Sequence, residues 1–236
     1  MSRPIPAARK EFWESKDPGS WSNEEKETLL WQSPWAREGS ARMEQKLPPT
    51  VGYNTKGQQS VDLPDNRPAV GQGSGTKSVP IGQEIPPVPN PDTGPQIQFR
   101  VLARWETAKP VRLAGGPEVP EMTGQFYVIR LRGLPLMPPP KVKPGEAPPP
   151  DPNVGLLQAI KQGTRLERAR KEAISCAHLF TRATKGAPDV LLFFPREADP
   201  ITIADKVVLL ESRFAAFHLS IKFPLKEMMY RGELAL

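Results

Sequence analysis

Few residues in this 236-residue chain are of a type that could do chemistry: two histidines, one cysteine and a scatter of carboxylates. Cys176 and His178 stand two apart, so a strand would place both on one face, within reach of a single metal ion. A zinc site, however, wants three or four Cys, His or carboxylate ligands. His218 falls on the polar face of its own expected strand, where solvent is the default neighbour. Cys176 lies between Ile174 and Phe180 on an apolar stripe, whereas a reactive thiol needs an accessible, electropositive setting to ionise. The expectation is a small core cysteine beside a partly exposed histidine, with no metal and no cofactor.

For acid–base work the chain offers Glu197, Asp199 and Asp205. The run Pro195-Arg196-Glu197-Ala198-Asp199-Pro200 reads as a turn whose Asp side chain bonds local amides. A hydrolase-like enzyme working from the 189–205 turn would bring Arg196, Glu197 and Asp199 together in a concave pocket. No G-x-S-x-G, H-E-x-x-H or P-loop pattern supports it. The formal charge of +6 and pI near 9.5 permit contact with phosphates. The densest basic block is Lys161, Arg165, Arg168, Arg170 and Lys171, interrupted by Glu167 and Glu172. A weak nucleic-acid or anionic-surface binder through 161–171 is the reading it allows; a solvated face is the plainer one.

The tryptophans carry the stronger signal. Trp13, Trp21, Trp31 and Trp35 are four of the chain's five, and indoles are enriched where proteins bind. With Leu30 they define a docking segment that would fold back on its own domain or meet a protein partner. A membrane surface ranks third, because Glu24, Glu25 and Glu27 would be repelled by anionic lipid.

These residues need elements to position them. Ser22 and Glu25 form a capping-box pattern that predicts a short helix over about 22–32, ended by Pro34. Residues 1–45 thus read as a tryptophan-rich arm, and 46–95, with ten prolines among Gly, Gln, Ser and Asn, as a disordered linker. The folded domain is expected at 96–236, with a proline-rich loop at 135–152. Ile97, Phe99, Val101, Ala103 and Trp105 recur with period two and predict a strand. Strands are also expected at 126–131, 190–194, 207–210 and 217–223, in the latter half of 164–181, and as a strand or tail over 228–236. Asn153 is the expected cap of a helix over 154–162. The fold class is α+β or mainly β: an antiparallel-rich sheet or sandwich of about five or six strands with one or two short helices. No apolar run approaches the roughly 20 residues of a membrane-spanning helix, and a lone cysteine forms no intrachain disulfide.

Several strings resemble a family of bacterial proteins of acidobacterial type with no known activity. They are Trp21-Ser22, Leu29-Leu30 and Ser33-Pro34-Trp35-Ala36 near the start, then Arg104-Trp105-Glu106-Thr107-Ala108-Lys109-Pro110-Val111. Phe126-Tyr127-Val128-Ile129 and Gly133-Leu134-Pro135 follow, then Leu192-Phe193-Phe194-Pro195-Arg196 and Asp199-Pro200-Ile201-Thr202. Lys222-Phe223 and Met229-Tyr230-Arg231-Gly232-Glu233-Leu234 close the series. Members of that family often carry a signal sequence ahead of the tryptophan motif, so the resemblance implies export. Here residues 1–10 hold Arg3, Arg9 and Lys10 with no apolar stretch after them, and give no signal peptide. The reading that results is a non-enzymatic, exported binding or structural module with a tryptophan-rich docking arm.

Overall fold

The computed structural model describes residues 11–43, 97–116, 124–138, 149–184, 186–196 and 199–236. The linker expected at 46–95, most of the loop expected at 135–152, and Glu197 lie outside the described residues.

The architecture is mainly antiparallel β. The sheet has nine strands, not five or six, in the order β5-β4-β8-β9-β1-β2-β3-β7-β6. In chain order these are β1 (Ala36–Met43), β2 (Gln98–Trp105), β3 (Phe126–Arg132), β4 (Thr164–Arg168), β5 (Lys171–Ser175), β6 (His178–Arg182), β7 (Asp189–Pro195), β8 (Val207–Phe214) and β9 (Phe217–Pro224). Met229–Tyr230 and Glu233–Leu234 form a separate small hairpin, β10 and β11. The helices are α1 (Phe12–Ser15), α2 (Asn23–Trp31), α3 (Lys109–Leu113) and α4 (Val154–Gly163).

The surplus strands arise where sequence periodicity is weakest. β1 reads Ala-Arg-Glu-Gly-Ser-Ala-Arg-Met, with no large apolar residue before its end, yet it lies in the middle of the sheet between β9 and β2. Small residues suffice there because the neighbours are large. Ala41 is fully buried, and a side chain at Gly39 would run into Ile221 of β9. Residues 11–43 therefore belong to the same compact unit as 97–236. The expected boundary between an arm at 1–45 and a domain beginning at 96 is replaced by a fold that uses both.

The sheet curls into a half-barrel. Its edge strands β5 and β6 are consecutive in the chain, separated only by Cys176 and Ala177. The Cys176 amide donates to Thr164 of β4 (3.2 Å) and the Ala177 amide to Phe193 of β7 (2.8 Å). One bent stretch, 171–182, thus pairs first with β4 and then with β7. This is also why the period-two stripe of Ile174, Cys176, His178 and Phe180 breaks. Ile174 and Cys176 are buried, whereas His178 and Phe180 are exposed.

One large apolar cluster fills the concave side and joins Trp13, Trp21, Leu29 and Trp35 to Val101, Trp105, Ile129, Leu192, Phe194, Leu210 and Phe223. A smaller one, Phe126, Val128, Leu191 and Phe193, occupies the opposite face of β3 and β7, so these two strands are buried on both sides.

Helix α2 starts as its sequence predicts. The Ser22 side chain accepts from the Glu25 amide (3.1 Å) and Glu25 accepts from the Ser22 amide (3.0 Å). Asn153 does not cap α4 with its side chain. Instead its amide group accepts from the Met137 N–H and donates to the Met137 carbonyl, at 2.8 and 2.9 Å, pinning the chain before the helix.

Candidate functional site

The N-terminal segment is fastened to the sheet by its indoles. Trp13, Trp21 and Trp35 are 6, 4 and 0% exposed. A buried tryptophan removes roughly 150–250 Å² from water, worth about 4–6 kcal/mol gross at ~25 cal/mol/Å². Three of them offset a substantial part of the ordering cost of a segment whose helices could not persist alone. Polar ties reinforce the docking: Arg104 donates to the Leu30 carbonyl (3.1 Å) and Arg231 to the Lys16 carbonyl (3.1 Å), while Arg37 pairs with Glu227. Of the five docking residues expected from sequence, Trp13, Trp21 and Trp35 are thus occupied within this chain's own core. Leu30 and Trp31 are half-buried, and Trp31 lies under the guanidinium groups of Arg132 (4.5 Å) and Arg104 (5.1 Å).

Beneath Trp31 runs a buried ion network across β2, β3 and β7. Glu106 holds Arg104 at 2.9 Å and Arg130 at 3.0 Å; Asp189 holds Arg130 at 3.3 Å and Arg132 at 3.1 Å. Burial pulls the Arg130 pKa below its ordinary value, Arg104 and Arg182 pull the same way, and Glu106 and Asp189 oppose them. The network joins α2 to the sheet and is a structural clamp.

A groove of about 960 Å³ lies beside β1 and β9. β1 pairs with β2 over seven residues and β9 with β8 over eight, but β1 meets β9 only at Arg42↔His218 and Met43↔Phe217. The ladder stops after those two pairs although Gly39 still packs against Ile221, and the groove is lined by Ala36, Arg37 and Glu38 of β1 and by Ser220, Ile221 and Lys222 of β9. Trp13, Pro34, Lys226, Glu227 and Met229 also line it.

Two polar atoms in this lining are buried without a hydrogen-bond partner: Ser33 Oγ and Arg37 Nε. Its lining also holds Glu11, Glu14, Glu38, Lys222 and Lys226, none of which forms an ion pair with a described residue. Sequence reasoning missed this site because nothing in the composition of β1 or β9 marks a ladder that stops after two pairs. The one legible hint was Gly39, a glycine that a packed neighbour requires.

The other expected sites resolve differently. Cys176 is buried, its thiol donates to the His178 carbonyl (3.2 Å), and burial pushes its pKa up to about 11. The His178 ring packs edge-on against Phe126 on the opposite face, so Cys176 and His178 are not brought together. His218 pairs with Glu211 across β8 and β9. Among the described residues no group of three His, Cys, Asp or Glu could hold a metal ion.

Arg196 donates to the carbonyls of Phe126 (3.0 Å) and Leu236 (2.6 Å) and stacks on Tyr127 (4.3 Å), beside a cavity of about 410 Å³. Asp199 instead pairs with Arg168 (3.0 Å) and Lys171 (3.1 Å), so Arg196 and Asp199 do not converge. In the basic block, Arg165 pairs with Glu167, Arg168 with Asp199, and Lys171 with both Asp199 and Asp205. Comparison with protein-family models, with curated proteins and with solved structures finds no match. No described helix is long and apolar enough to cross a membrane.

Proposed function

We propose that this chain is a non-catalytic binding module and that the β1–β9 groove is its recognition site. The observation that carries the reading is the groove itself: a cleft at the upper end of the roughly 300–1,000 Å³ range of ligand sites, placed where a sheet ladder stops and lined by carboxylates and lysines that form no ion pair with a described residue. Rigid elements hold it on both sides, with Trp13 and Trp35 in edge-to-face contact at 5.8 Å behind it. The polar groups outside the groove support a binding rather than a catalytic role. The Cys176 thiol is bonded to backbone and held neutral, and Asp199 and Asp205 are engaged by Lys171.

Export, which the family resemblance implies, belongs to the same proposal and suits a module that meets its ligand outside the cell. The tryptophan segment's role in it is to build one wall of the groove. The test is a chemical-shift screen of isotopically labelled full chain against mixed small molecules and short peptides. Perturbations gathered on Trp13, Glu38, Ser220 and Lys222 are expected; perturbations confined to other regions overturn the assignment.

A further inference from the structure

We infer that the convex face of the sheet is a track for single-stranded nucleic acid, with four arginines meeting its phosphates and Trp31 stacking on a base. The residues come together only through strand pairing. Ala41, Val101 and Ala103 lie in the core, so the alternate residues Ser40, Arg42, Arg100 and Leu102 stand on the outer face. Arg42 is the partner of Gln98 and Ser40 the partner of Arg100. Arg42 and Arg100 are therefore diagonal neighbours, about 7–8 Å apart. Leu102 is partnered by Arg132, which sets Arg132 one further diagonal step along, on β3. In the other direction Arg42 and Arg213 both pair with His218, one from β1 and one from β8. They lie two strand spacings apart, about 10 Å.

The row Arg213, Arg42, Arg100, Arg132 thus runs for roughly 25 Å across the sheet, and all four side chains are exposed. Arg42, Arg100 and Arg213 form no ion pair or side-chain hydrogen bond with a described residue. Arg132 pairs with Asp189 and still leaves 44% of its side chain in water. Trp31 closes the row. Its ring is half-buried, lies 4.5 Å from the Arg132 guanidinium and is oriented by the bond from its Nε1 to Glu27 (2.8 Å).

A row of cations with an aromatic ring at its end is the pattern that holds a single strand without reading its sequence. A duplex would keep its bases away from Trp31, and none of the large apolar residues exposed among the described ones stands in this row for a lipid surface to bury. Of the carboxylates on this face, Glu211 is taken up by His218, and Glu38 stands with Lys222 beside it. The basic block at 161–171 is the poorer candidate, because Glu167, Asp199 and Asp205 already occupy it. None of the four arginines, nor Trp31, lines the β1–β9 groove, so the inference stands or falls apart from the groove's role.

The experiment follows the anisotropy of a labelled twelve-nucleotide oligothymidylate as the full chain is added. Affinity is expected to fall with salt at a log–log slope near −3, at about −0.7 for each of four phosphates. The double variant Arg42→Gln with Arg100→Gln removes two exposed, unpaired charges and should leave the fold intact, as its urea midpoint will report. It should reduce the slope to roughly −1.4 and weaken binding at least about tenfold at low salt. The control variant Arg165→Gln with Arg170→Gln removes the same charge from the 161–171 block and should bind like the wild type.

A second readout needs no variant. Trp13, Trp21, Trp35 and Trp105 are buried, so quenching of tryptophan fluorescence by the oligonucleotide should come from Trp31 and vanish in Trp31→Leu. Absence of binding at low salt overturns the inference. So does equal weakening by the two double variants, which would make the attraction one of net charge alone. Binding of a duplex as tightly as the single strand, or binding without quenching, removes the stacking and overturns it as well. Vesicles of phosphatidylcholine and phosphatidylglycerol should not displace the oligonucleotide; displacement that depends on Arg42 and Arg100 would assign the face to a lipid surface instead.

Discussion

Trp35 and Ala235 stand 200 positions apart and are joined by one hydrogen bond: the indole Nε1 of Trp35 donates to the Ala235 carbonyl at 2.8 Å, in a fully buried setting. Trp35 also leads directly into β1, so this contact fixes where a central strand enters the sheet. Trp35→Phe keeps much of the ring but leaves a buried carbonyl unpaired, at a cost of about 1–3 kcal/mol. Trp35→Ala removes the ring as well and costs about 3–5 kcal/mol. Urea unfolding of the full chain, followed by far-UV dichroism, checks both. If Trp35→Ala unfolds at the wild-type midpoint, the N-terminal segment is not part of the cooperative fold.

Glu106 is the shared counter-ion of Arg104 and Arg130, and its side chain is fully buried. Removing one partner of a buried ionic network leaves uncompensated charge, which costs about 3–5 kcal/mol. Glu106→Gln is expected to lose that much, and the same substitution at the exposed Glu24 to stay within ~0.5 kcal/mol. The comparison of the two urea midpoints is the measurement.

How far the sequence revealed this fold differs from element to element. The Ser22–Glu25 cap was legible because capping is a local matter of four residues. The strands around Val101, Val190, Val208 and Leu219 were legible because each has its own apolar pattern. β1 was not: its small residues pack against Ile221 and Leu219 of β9, and apart from Gly39 nothing within Ala36–Met43 records it. The tryptophans were recognised as anchors, but an anchor's target is a long-range fact. The groove was illegible for the same reason. A ladder that ends after Arg42 and Met43 is a property of two strands, about 180 residues apart, and of neither sequence alone.

The end of α4 and its contact with β8 give a contrast between two glycines of one helix. A Cβ at Gly163 would lie 1.7 Å from the Arg213 carbonyl oxygen, a backbone atom that cannot swing away. Gly163→Ala is expected to cost roughly 3 kcal/mol or more, at or beyond the upper end of overpacking effects. Gly155 has open space around it, so Gly155→Ala should gain about 0.5–1 kcal/mol from helix propensity. Thermal unfolding of the two variants should therefore move in opposite directions.

Asp205 makes acid stability depend on one turn. Burial raises its pKa, but the Thr202 amide (2.8 Å), Lys171 (3.1 Å) and Arg168 outweigh it and hold the carboxyl below its ordinary value. A depressed carboxyl pKa contributes stability that is fully present above the unfolded-state value, near 3.8, and is lost as pH falls through the folded-state value. Asp205→Asn should thus lower stability at pH 7 and flatten its decline below about pH 4. A urea midpoint measured from pH 2 to 7 for both chains checks the sign; parallel curves would place the acid sensitivity elsewhere.

Cys176 provides a chemical probe of the link between β5 and β6. Burial is the largest influence on its thiol, and the backbone of Phe193, the Lys161 charge and the backbone of His178 only partly offset it, leaving a pKa of about 11. At pH 8 the native chain should resist iodoacetamide, since the thiolate is the reacting form, while the urea-unfolded chain should be alkylated at the rate of a free cysteine. The folded state also retains its thiol proton between the ordinary value of 9.0 and about 11. The unfolded state loses its proton first, so stability should fall as pH rises through that interval. Alkylation followed by mass spectrometry on the native chain at pH 8 is the decisive measurement. Modification on the time scale of the unfolded control would mean that Cys176 is not held between Thr164 and Phe193, and that the sheet does not curl at this point.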